Sequence, residues 1–184
     1  MAGYDFTVIA PHVDETRLSG EDPVTMVERL ALLKADAVAA PSGAAVLAVD
    51  TTVVLDGEVI GKPFDADDAV ATLLRLSGRT HLVLSGWAVA AGDGVDSGVA
   101  PTAVTMRPIE RAAAVTYAAT GEPLDKAGAY ALQGEGVHLV AEVDGSRSNV
   151  MGLPLEAVVP ALERAGVSRS GAIQGGTDPG ELKQ

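Results

Sequence analysis

Cysteine is absent from all 184 positions, which excludes disulfides, thiolate metal sites and cysteine nucleophiles. Aromatic residues are scarce at 3%, against 47% apolar residues overall, so the core has to be built from Val, Leu, Ile and Ala. That composition suits an α/β class, a parallel or mixed sheet covered by Ala- and Leu-rich helices. Basic residues are few: 13 Lys and Arg against 25 Asp and Glu give a net charge of −12. A surface this acidic repels duplex DNA and anionic lipid, so neither nucleic acid nor membrane is an expected partner. A small polyanion stays compatible, because a few local lysines and a metal ion reverse the field inside one pocket. No segment reaches the roughly 18 consecutive apolar residues of a membrane helix. The opening MAGYDFTVIAPHVDE has neither a basic stretch nor an unbroken apolar one, so a cytoplasmic location is expected. The motifs of three large nucleotide- and ester-handling classes are missing as well. There is no GxxxxGK followed by Ser or Thr, no GxGxxG opening a helix and no GxSxG elbow.

What is present is one domain's worth of alternating strand and helix signals. Residues 4–10 alternate well enough for a short strand that Pro11 stops. Asp22-Pro23 reads as an N-cap with proline at the first helical position. The helix it opens runs to about Ala39, with Val27, Leu30, Leu33 or Lys34, and Ala37 or Val38 at helical spacing. Residues 44–49 are a continuous apolar run, the mark of a strand covered on both faces, and the run ends at Asp50. Residues 52–55 and 58–60 flank Asp56-Gly57 as a two-residue hairpin. Asp65 caps a helix through about Ser77, closed by Gly78. Strands over 81–91 and 98–107 surround a Gly-Asp-Gly turn. Helices over 109–120 and 127–132, a strand over 137–143 and a closing helix over 154–165 follow, the last with an interior Pro160 that implies a kink or a shifted boundary. From Ser168 onward Gly, Ser and Asp dominate, which predicts a disordered tail over 168–184 behind a domain of 1–167. Ala2-Gly3 reads like the exit from a helix whose body is not in the sequence.

Asp50 is the first candidate for chemistry. A carboxylate directly after a buried strand sits at the carboxyl edge of a sheet, where α/β folds place their sites. There it binds a divalent cation or takes a proton from water; the plainer alternative is an Asp that bonds the next turn. A haloacid-dehalogenase-like phosphatase wants a second Asp two residues on, and position 52 is Thr. Lys62, held between Gly61 and Pro63, has a restrained backbone and can aim a cation at phosphate, or be an ordinary loop lysine. Asp125-Lys126 poses the same choice. Gln133 could read a base edge by donating and accepting hydrogen bonds. Glu15 is either a second metal carboxylate or part of a solvated acidic loop. His81 and His138 read as structural, and Trp87 as core.

Two blocks carry a family resemblance: VLAVDTTVVLDGEVIGKPFDADDAVATLLRLSGRTHLVLSG over 46–86, and GEPLDKAGAYALQGEGVHLVAEVDGSRSNVMGLPLEAV over 121–158. Together they resemble the Maf family of nucleoside triphosphate pyrophosphatases, with looser similarity through VDE at 13–15 and the helix around Lys34. The resemblance implies an elongated mixed sheet flanked by helices, with two lobes around a central cleft, and hydrolysis of a nucleoside triphosphate to the monophosphate and pyrophosphate. It implies Asp50 as proton acceptor close to a metal, Glu15 as a second carboxylate for Mg2+ or Mn2+, and Lys34 and Lys62 as phosphate contacts. Thr51 and Gln133 match positions tied to substrate choice, and the pair resembles the dTTP/UTP-preferring branch. Members often dimerise, so a homodimer is compatible. The family's early Ser-x-x-Arg-Arg segment has no counterpart here, and the chain opens where that helix would end. The alternative this departure leaves is a catalytically weakened nucleotide-binding regulator of septum formation.

Overall fold

In the computed structural model, residues 3–39, 41 and 43–169 are described. Two long strands organise them. β3 (Thr80–Ala91) and β4 (Gly94–Met106) form a hairpin paired from Thr80–Thr105 to Ala91–Gly94. β1 (Val46–Leu55) lies on the other side of β3, paired from Val46–Ala90 to Val54–Leu82. Short β2 (Glu58–Ile60) turns back on the end of β1 through Asp56-Gly57, both at positive φ as a tight two-residue hairpin requires. β5 (Val140–Asp144) flanks β4, giving the order β2-β1-β3-β4-β5. All four pairings are antiparallel. The α/β class therefore stands with antiparallel rather than mixed pairing: β3 and β4 form a hairpin, and the connection through β2 and the helix Ala66–Leu76 brings β3 back antiparallel to β1.

The expected hairpin and helices form with small shifts in their ends. α1 (Pro23–Asp36) is capped by Asp22, whose carboxylate accepts from the Val24 and Thr25 amides. α2 (Ala66–Leu76) is capped by Asp65, and α3 spans Arg111–Ala118. A short α4 (Arg147–Val150), capped by Ser146, was not signalled by any hydrophobic period. α5 (Leu155–Arg164) keeps Pro160 within it. The ring is exposed, and a helix this short forgoes one main-chain bond at that point.

Three expectations change. Residues 4–10 form no strand: no ladder holds them, and Val8 is left 81% exposed. β1 does not stop at Asp50 but runs through it, since β3 continues to pair with it beyond that point. Asp50 is therefore mid-strand, not at the carboxyl end of its strand. Over 127–132 only Ala127–Ala129 is helical, as a 3-10 turn, and the strand expected over 137–143 starts at Val140, after a 3-10 turn that ends at Leu139. Ala2 and the tail from residue 170 onward lie outside the described residues.

The two faces of the sheet are covered differently. α1 alone lies over one face, packing Met26, Val27 and Leu30 on Val54 and Leu84, and Ala31 and Ala35 on Ala88. The other face carries two separate packs. α2 and α3 cover Val53, Val83, Val104 and Met106, whereas α5 covers Trp87, Val89, Leu47 and Val49. Thr51 and Ser85 fall between these packs, where strand alternation turns them to the same face as Val53 and Val83.

Candidate active site

On the α1 face, Asp50 meets Lys34. The Lys34 ammonium donates to Asp50 Oδ1 at 2.7 Å and lies 2.8 Å from Glu15 Oε1. The Lys34 and Asp50 side chains are only 18% and 12% exposed. Burial would lower the Lys34 pKa, but Asp50 and Glu15 outweigh it and hold that pKa above the ordinary lysine value. The approach depends on Gly86, opposite Asp50 on β3. A Cβ at Gly86 would fall 2.0 Å from the Val27 carbonyl oxygen, so only glycine lets α1 settle this close to the sheet. Glu15 sits in a loop tied to α1 by Arg29, which donates to the Glu21 carboxylate at 2.6 Å and to the Thr16 carbonyl.

On the opposite face a cavity of about 210 Å3 opens between the two packs. Thr51, Val53 and Val83 form its floor; Lys62, Asp125, Lys126 and Tyr130 stand on one side, Met151 and Gly152 on the other. The Lys62 loop is held by Gly128, whose amide donates to the Gly61 carbonyl. Gly128 has φ of 73° and lies against Val53, so a side chain there would strain the backbone and clash with the floor. Thr51 Oγ1 is 2.7 Å from Ser85 Oγ, and Ser85 in turn reaches the Asn149 carbonyl at 3.5 Å. Asn149 is fully buried and donates to Val83 O, Ala100 O and Thr102 Oγ1, fastening α4 and the following Met151-Gly152 to the sheet.

The structure thus brings Thr51 and Lys62 together and draws Gln133 to their margin, where its Nε2 donates to Met151 Sδ at 3.1 Å. It brings Lys34, Asp50 and Glu15 together on the other side of β1. Lys126, which sequence reasoning left undecided, lines the cavity with Lys62. Tyr130, Met151 and Gly152 were not singled out, although each lies within the blocks that carry the family resemblance. His81 is structural as expected: 2% exposed, its Nε2 lies 2.8 Å from Tyr130 Oη. Burial pushes its pKa down to about 4.

No cluster of three or more metal-binding side chains occurs among the described residues. Glu15 and Asp50 fit the smaller protein share that Mg2+ takes, one or two carboxylates completed by water and substrate phosphate. No helix among the described residues is long and apolar enough to cross a membrane.

The chain is similar to known proteins over most of its length. A dTTP/UTP pyrophosphatase of Myxococcus xanthus is 54% identical over 163 residues, covering 88% of this chain and 83% of the relative. Proteins of the same name from Symbiobacterium thermophilum and Geotalea uraniireducens are each 47% identical, over 165 and 168 residues. They cover 89% and 90% of this chain, and 85% and 87% of the relatives. The family model described as Maf-like protein matches residues 1–165, and the chain belongs to that family.

Proposed function

We propose that this protein is a nucleoside triphosphate pyrophosphatase that cleaves dTTP and UTP between the α and β phosphates, releasing the monophosphate and pyrophosphate. β1 carries the reading: Asp50 and Thr51 are consecutive, and strand alternation turns one toward Lys34 and the other into the lysine-lined cavity. Among the described residues no strand pairs with the outer edge of β1 ahead of Val53. A substrate lying across that edge reaches both faces. The names of the relatives described above support the same reaction and the same pyrimidine substrates.

In this reading the base end occupies the cavity, beside Thr51 and within reach of Gln133. A Gln amide donates to a carbonyl and accepts from an N–H, the pattern that thymine and uracil present and cytosine reverses. The contact Gln133 holds now, to a thioether sulfur, is weak and readily exchanged. Lys62 and Lys126 neutralise the polyphosphate and hold the leaving pyrophosphate, and Lys34 adds a third cation from the other face. Asp50 accepts the proton of the attacking water; no covalent intermediate on the protein is needed. Glu15 and Asp50 are the residues that would hold Mg2+ or Mn2+, which when bound offsets phosphate charge. The substrate belongs to the cytoplasmic nucleotide pool, so the protein is assigned there. A homodimer is part of the proposal and is read by size-exclusion chromatography with light scattering.

The test is pyrophosphate release from a panel of nucleoside triphosphates with Mg2+ or Mn2+. The expected result is turnover of dTTP and UTP well above dCTP and the purine nucleotides. Folded protein that binds nucleotide without releasing pyrophosphate overturns the assignment.

A further inference from the structure

The segment around Gln133 has no ladder and no α-helix to fix it; residues 130–134 are irregular. It is nevertheless bound on both sides of Gln133 by two residues outside the cavity lining. Glu122 accepts three hydrogen bonds: from Tyr117 Oη at 2.8 Å, from the Glu135 amide at 3.0 Å and from the Gly136 amide at 3.1 Å. Tyr117 Oη in turn accepts from the Ala131 amide at 3.3 Å. The main chain is thus held two residues before Gln133 and again two and three residues after it, through one carboxylate and one phenol.

The local sequence is shaped to this carboxylate. A Cβ at Gly134 would fall 2.2 Å from Glu122 Oε2, and one at Gly136 would fall 2.5 Å from Tyr117 Oη. Both glycines are therefore needed for the chain to wrap the clamp. Tyr117 is rigid, packed by α3 into the large core. Burial would raise the Glu122 pKa, but the Tyr117 hydroxyl and the two amides outweigh it and keep the carboxylate below its usual range. It stays charged at neutral pH, and its bonds are of the stronger, charge-assisted kind.

We infer that Glu122 and Tyr117 are positioning residues that fix the Gln133 loop and thereby set base selectivity, an inference that rests on Gln133 reading the base. Neither touches substrate. A loose loop would still admit a triphosphate to the lysines but would no longer hold the Gln133 amide against one base edge.

The experiment measures kcat/KM for dTTP and dCTP in the wild type, Glu122→Gln, Gln133→Ala and the double variant, with melting temperatures alongside. Glu122→Gln should lower the dTTP-to-dCTP ratio roughly tenfold, the scale of one well-placed hydrogen bond. Gln133→Ala should lower it at least as far, and the double variant should match Gln133→Ala. If Gln133→Ala leaves the ratio at the wild-type value, the base-reading role of Gln133 fails. If Gln133→Ala shifts the ratio while Glu122→Gln lowers only stability, or lowers both substrates in parallel, the positioning role is overturned. Equally damaging would be full additivity in the double variant. Should Glu122→Gln not fold, Tyr117→Phe removes a single hydroxyl and should shift the same ratio in the same direction by a smaller factor.

Discussion

The two faces of β1 solve opposite problems with similar residues. On the α1 face a lysine and two carboxylates satisfy one another, and a glycine lets the covering helix close over them. On the cavity face Lys62 has no ion pair within contact distance among those the described residues make, and the surrounding packs leave a space instead of filling it. One face holds charge in balance; on the other Lys126 pairs with Asp125, and Lys62 is left to a ligand that brings its own negative charge. The comparison teaches that neighbouring residues in one strand take different roles because alternation puts them in different electrostatic surroundings.

Asp50→Asn gives the largest effect if the two faces cooperate. It should lower kcat by about a thousandfold, within the range for a lost general base, with the melting temperature little changed. An unchanged rate per folded protein would remove Asp50 from the mechanism and leave the cavity face to act alone. Gly86→Ala tests how closely the α1 face is closed. The added methyl meets main chain of α1, which cannot move aside as a side chain does, so a loss of about 3 kcal/mol is expected in urea unfolding. A neutral result would mean that α1 lies farther from β3.

The His81–Tyr130 pair supports the cavity wall without net charge, and pH separates it from the ionic face. The His81 pKa is lowered from 6.5 to about 4 by burial. The unfolded chain therefore binds the proton first as pH falls through 6.5, so stability drops between pH 6.5 and about 4 and levels off below. Relative to His81→Gln, the wild type should lose about 3 kcal/mol across that window. A difference that does not change with pH would show the imidazole to be solvated. Smallest are the lysine exchanges. Lys34→Met strands two carboxylates near each other and should cost about 2 kcal/mol of stability. Lys62→Met should leave the melting temperature alone and raise KM roughly tenfold, the loss of one charge-assisted phosphate contact. Matching stability losses in both would erase the distinction between the faces.

Much of the site was legible before any coordinates, though unevenly. The Asp22 and Asp65 caps and the Asp56-Gly57 hairpin follow from local rules, and the structure has all three. Asp50 and Lys62 stood out by residue type and setting, but the reason given for Asp50 was wrong. It was expected at a strand end, and it lies within one. An apolar run that stops at a charge resembles a strand ending, and only pairing with β3 shows the ladder continuing. Glu122 could not be recognised from sequence, because two of its three partners are main-chain amides thirteen and fourteen residues away, and the third is the Tyr117 hydroxyl.

By itself the sequence determined the elements that depend on neighbours within a turn or two: capped helices, tight turns, a core poor in aromatics and without sulfur bridges, and a family likeness carried by two blocks. Tertiary structure decided which face each of those residues meets. That decision belongs to strand register, since shifting β1 by one position against β3 would exchange Asp50 and Thr51 between the balanced face and the open one.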